Sequence, residues 1–117
     1  MPDNDTYTLA QKVAQYAQTK KAQDIRLLHL KNISSVTDFF VICHGDSSIQ
    51  VKAIANAILD GLREEGVKVW HKEGTDFLNW VLLDYIDVVV HVFQKETREF
   101  YNLERLWADA KIETLSE

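Results

Sequence analysis

Apolar residues recur at helical spacing near the start of the chain. Leu9, Val13, Tyr16 and Ala17 share one face, which predicts a helix from about Tyr7 to Lys20. Thr8 and Gln11 have capping-box spacing, with Asp5 and Thr6 as alternative caps, and Met1–Thr6 reads as a ragged end. Ile25–Leu30 is rich in leucine and β-branched residues and predicts a strand. After the polar stretch Asn32–Asp38 comes a continuous apolar run, Phe39–Cys43, the pattern of a strand buried on both faces. Ser47 and Gln50 then form a capping pair before a second helix lined by Val51, Ile54, Ile58 and Leu62, and Gly66 is placed to end it.

Beyond Gly66, Val67–His71 predicts a short strand and Glu73–Asn79 a loop. Trp80–Tyr85 and Val88–Phe93 are two strand-like runs separated by two residues, Ile86 and Asp87, as in a tight hairpin. Phe100, Leu103 and Trp107 predict a third helix over Thr97–Ala110. The order implies an α/β domain with one mixed sheet of about five strands and three helices. The unit from Phe39 to His71 is expected to make a right-handed parallel crossover.

A turn at Ile86-Asp87 pairs Tyr85 with Val88, Leu83 with Val90 and Val81 with Val92, and side-chain alternation puts these six on one, core-forming face. The other face carries Trp80, Leu82 and Asp84 opposite Phe93, His91 and Val89. Two arrangements fit that mixture of aromatics with a carboxylate and an imidazole. Either a helix covers the face, or it is an open protein interface.

The chain has 117 residues, 46% hydrophobic and 26% charged, which fits a single globular domain covering 1–117. No apolar stretch is long enough for a membrane span, and the acidic start lacks the features of a secretory or transit signal, so a cytoplasmic location is expected. The net charge of −5 is uneven. Residues 1–72 carry nine basic and eight acidic side chains, whereas residues 73–117 carry four basic and ten acidic. An acidic C-terminal part disfavours direct nucleic-acid binding and suits a basic protein partner.

Chemical motifs are sparse. Cys43 is the only cysteine, and the histidines lack metal-ligand spacing. No nucleophile elbow surrounds Ser47 or Ser48, and no carboxylate pair has the spacing of a two-metal site. No catalytic residue, metal or cofactor is therefore expected. His44-Gly45-Asp46-Ser47-Ser48 does open a helix, where backbone N–H groups could hold an anion, so a nucleotide-binding or nucleotidyltransferase-related enzyme with a pocket at Gly45–Ser48 is the alternative reading.

Three stretches resemble the ribosomal silencing factor family (RsfS, or Iojap-like): Lys21–Ile25 leading to Ser34–Ile42; His44–Ala55; and Trp80–Tyr85 with Asp87–Phe93 and Glu96–Trp107. The resemblance implies a nucleotidyltransferase-like α/β topology without catalytic carboxylates. It further implies a non-enzymatic translation repressor, which binds ribosomal protein fourteen of the large subunit and blocks subunit joining when nutrients are scarce. Such proteins are commonly homodimers when free. By position, the partner-binding residues are Trp80, Leu82, Asp84, Tyr85, Asp87 and His91. The large aromatics Trp70, Phe77, Trp80, Phe93 and Trp107 fit the expected self-association. The chain departs from the family pattern at Ile86, where glycine is usual, and in the bulky loop Thr75–Asn79.

Overall fold

A computed structural model describes residues 2–115. Helix α1 (Pro2–Gln18) is followed by strands β1 (Gln23–His29) and β2 (Phe39–Gly45) and helix α2 (Ser48–Glu64). Then come β3 (His71–Glu73), β4 (Trp80–Asp84), β5 (Val88–Gln94), α3 (Lys95–Tyr101), α4 (Leu103–Leu106) and β6 (Lys111–Thr114). The six strands form one sheet in the order β3-β4-β5-β2-β1-β6. Only β2 and β5 pair in parallel.

Four expectations require correction. Helix α1 already runs through residues 2–6 of the expected ragged end, Met1 lying outside the described residues, so Thr8 lies inside the helix rather than capping it. The strand after α2 is not Val67–His71 but His71–Glu73; it lies at the sheet edge beside β4, so the crossover from β2 passes over β5 and β4. The third helix breaks at Asn102, which adopts a left-handed φ of 48° and ends α3. Residues 111–114 then add a sixth strand, pairing antiparallel with β1.

Helices α1 and α2 pack on one face of the sheet. Val13, Ala17, Val51, Ile54, Ile58 and Leu62 bury against Val41, Val81, Leu83, Val90 and Val92. The strand pattern explains β2, which is apolar on both sides because the other face is also covered, by the C-terminal segment. There Leu28, Leu30, Ile42 and Phe93 form a second buried cluster, with Leu103, Trp107 and Ile112 packed over it.

Both ends of α2 are closed as the sequence indicates. At its C-terminus Gly66, at φ 85°, lets its own N–H reach the Arg63 carbonyl and the Val67 N–H reach Leu62, a Schellman arrangement. At its N-terminus the Ser47 hydroxyl accepts the Gln50 N–H at 3.1 Å. Gln50 in turn accepts the Asp46 N–H and donates to the carbonyls of Lys20 and Lys21, tying the end of α1 to the start of α2. Ser47→Ala removes one cap acceptor and is expected to cost roughly 0.5–2 kcal/mol in a urea titration.

Candidate functional site

The hairpin has the register read from the sequence. Val81 pairs with Val92 and Leu83 with Val90 across β4 and β5, while Trp80, Leu82 and Asp84 face Phe93, His91 and Val89 on the other side. That outer face is covered at one end and open at the other. Phe93, His91 and Val89 are buried, whereas Trp80, Leu82 and Asp84 are half-buried. Tyr101 lies on Trp80, with ring centroids 4.8 Å apart, and Trp107 meets Phe40 edge-on at 6.0 Å. The broken third helix thus shields the Phe93 end, and the short edge strand β3 leaves Leu82 and Asp84 open.

The six residues implied by the resemblance divide into different roles. Leu82 belongs to neither buried apolar cluster. Asp84 accepts the Ile86 N–H at 2.7 Å through Oδ1, shaping the turn while remaining half-exposed. Asp87 is exposed, and its carbonyl takes the N–H groups of Asp38 and Phe39 at 3.0 and 3.1 Å, fastening the turn to the start of β2. Tyr85 is placed differently: it packs in the core on the helix side, 7% exposed, and its buried hydroxyl has no partner. Burial pushes that hydroxyl's pKa up to about 12.

Trp80 and His91 act as a pair beneath the face. The indole N–H donates to His91 Nδ1 at 3.1 Å, and the imidazole stacks over Phe93 and meets Phe40 edge-on. Nδ1 must therefore be unprotonated, and Nε2 carries the proton with no partner. Burial pushes the His91 pKa from 6.5 down to about 4. His44, whose Nδ1 accepts from Arg98 at 2.9 Å, is lowered too, by burial and by the Arg98 charge.

These shifts give stability a pH dependence of defined sign. Well above pH 6.5 His91 is neutral in both folded and unfolded chains. As pH falls from 6.5 towards 4 the unfolded chain takes up protons that folded His91 refuses, so stability falls. At ~1.4 kcal/mol per pKa unit, His91 alone accounts for roughly 3 kcal/mol by pH 4. Urea midpoints at pH 7.5 and 5 should show the loss in the parent and a smaller one in His91→Phe; an equal loss in both would mean that His91 is not held neutral.

The recess beside Gly45–Ser48 has a different character. It is lined by Lys21, Gln23, Asp24, His44, Asp46 and Gln50. The Asp46 N–H is already taken by Gln50, and the two carboxylates give the recess the wrong charge for a phosphate. No group of three or more His, Cys, Asp or Glu side chains among the described residues has the geometry to hold a metal ion. Cys43 is buried, and its thiol is pushed up to about 12. No described helix is long and apolar enough to cross a membrane.

The sequence reading missed an ion-pair network centred on the buried Arg98. Arg98, 6% exposed, donates to the Asp24 carbonyl at 2.8 Å, to the His44 imidazole and to Glu104 at 2.8 Å. It locks the broken third helix onto a bulge in β1 at Asp24, whose φ is 48°. No local pattern signals this, because Arg98 stands among surface-type residues and its partners are 54–75 positions away or across a helix break.

Over residues 3–117 the sequence matches the family described as ribosomal silencing factor during starvation. It is 52% identical over 96 residues to the ribosomal silencing factor RsfS of Bacillus subtilis (strain 168), covering 82% of this chain and 81% of that protein. A solved structure from Chromobacterium violaceum superposes with a TM-score of 0.85 at 32% identity, over 95% of this chain and 92% of the other. A second, from Bacillus halodurans, gives 0.80 at 41% identity, over 95% of this chain and 99% of the other. With sequence and fold in agreement, the chain belongs to the ribosomal silencing factor family.

Proposed function

We propose that this protein silences translation in the cytoplasm by binding the large ribosomal subunit through ribosomal protein fourteen and sterically blocking subunit joining. The observation that carries this reading is the half-open outer face of β4, where Leu82 lies outside both apolar clusters, with Asp84 two residues along the same face and Glu73 registered opposite it on β3. A half-buried apolar centre with an acidic rim fits a basic protein surface. The acidic C-terminal part of the chain has the matching charge. Steric exclusion needs affinity and placement but no bond-making group, which accords with the buried thiol and the structural roles of His44 and His91.

Mixing the protein with separated ribosomal subunits and sedimenting the mixture tests the reading. The protein should travel with the large subunit and reduce the joined ribosome peak; unchanged joining with the large subunit saturated would overturn it. The free protein is a homodimer, supported by the exposed Trp70 and Phe77, 69% and 85% accessible. Light scattering across the micromolar range should give twice the chain mass, and a monomer throughout would remove this part of the proposal.

A further inference from the structure

Ile86 has a left-handed φ of 74°, the one β-branched residue among those described that does. The Asp87 N–H donates to the Tyr85 carbonyl at 3.0 Å across it, so three residues close the bend. That hydrogen bond with that φ describes a tight γ-turn of the rare, strained kind, which a branched Cβ makes worse. The turn persists because its surroundings over-determine it. Asp84 Oδ1 holds the Ile86 N–H, the Tyr85 N–H donates to Val88 at 2.8 Å, and β2 grips the Asp87 carbonyl.

The fold gains nothing from this side chain. Ile86 is 56% exposed and belongs to neither apolar cluster. Strain maintained at a site with no structural return is a marker of function. What the strained turn delivers is an exposed branched apolar group on a backbone already fixed before binding, next in the chain to the exposed Asp87 and held by the Asp84 carboxylate. We infer that Ile86 is a specificity-determining anchor, seated in a shallow apolar depression of a basic protein partner whose lysines or arginines meet Asp84 and Asp87. A second copy of this chain is the poorer occupant, because residues 73–117 carry ten acidic side chains against four basic ones and would face their like. The inference rests on the reading of the β4 face given above and names one of its contacts.

The test is equilibrium binding of Ile86→Gly, Ile86→Asn and Ile86→Leu to purified bacterial large ribosomal subunits, with Leu82→Lys as reference and with melting and dimer mass measured in parallel. Glycine and asparagine tolerate the left-handed backbone, so both variants should melt at a higher temperature than the parent. Both should nevertheless bind about tenfold more weakly, or worse, through loss of the apolar side chain. Ile86→Leu should bind close to the parent. If the glycine and asparagine variants bind like the parent while Leu82→Lys does not bind, the face is right and Ile86 is no anchor. If they weaken only the dimer, the occupant is a second copy and the inference fails. If Leu82→Lys also binds like the parent, the inference and the reading beneath it fall together.

Discussion

Replacing Arg98 with methionine is expected to destabilise the fold by about 3 kcal/mol, because it leaves the half-buried Glu104 carboxylate with only the distant Arg26 guanidinium, at 3.9 Å, as counter-charge. Glu104, whose side chain is 15% exposed, pairs with Arg98 at 2.8 Å. The same guanidinium satisfies the Asp24 and Gln23 carbonyls and His44 Nδ1, so four acceptors lose their donor at once. Methionine keeps much of the volume, which separates lost charge from a cavity. Adding Glu104→Gln to Arg98→Met should recover part of the loss, because the stranded charge is gone. The consequences reach the candidate site: Leu103 and Trp107 pack over the outer-face cluster, and Tyr101 lies on Trp80. Hydrogen exchange in residues 95–110 should therefore rise together with exchange in β5. A loss below about 1 kcal/mol in urea melts would show that the network contributes specificity and not stability.

The hairpin was legible because everything needed lay within fourteen residues. Alternation from Trp80 to Phe93 assigns each side chain to a face, and a two-residue connection leaves one register. The capped ends of α2 were legible for the same reason, since Ser47, Gln50 and Gly66 act within a turn of their own positions. Legibility failed where the deciding partner is distant. Lys111–Thr114 alternates for only four residues and becomes a strand because β1 offers an edge. The break at Asn102 was hidden by a continuing apolar period, yet Phe100 on that period is 81% exposed, while Arg98 is the residue that is buried. Tyr85 was assigned by its pairing to the core face and by resemblance to the partner face; the structure follows the pairing.

Burial also decides which residue tests the interface. Trp80, an obvious aromatic anchor, is an ambiguous probe, because its indole N–H satisfies His91 Nδ1 and its ring packs on Phe93 and Tyr101. Trp80→Ala would loosen the fold as well as the contact. Asp84→Lys would release the Ile86 N–H. Leu82 avoids both problems, being half-buried and outside the two clusters.

Leu82→Lys is expected to weaken binding to the large subunit by about 100-fold or more, since it places a cation at the apolar centre of the face proposed to meet a basic partner. Its folding stability should stay within about 1 kcal/mol of the parent, because a lysine stem covers much of the surface that leucine covered and its ammonium reaches water beside the exposed strand β3. Asp87→Lys, at an exposed position, should lower affinity less and mainly slow association. Leu83→Ala supplies the contrast. One residue along the strand, Leu83 is fully buried against the helices, and its truncation should cost roughly 2–5 kcal/mol of stability while the folded fraction still binds. Sedimentation with large subunits, paired with urea melts of each variant, separates the two faces of one strand. A folded Leu82→Lys that blocks subunit joining like the parent would move the binding surface off the β4 face.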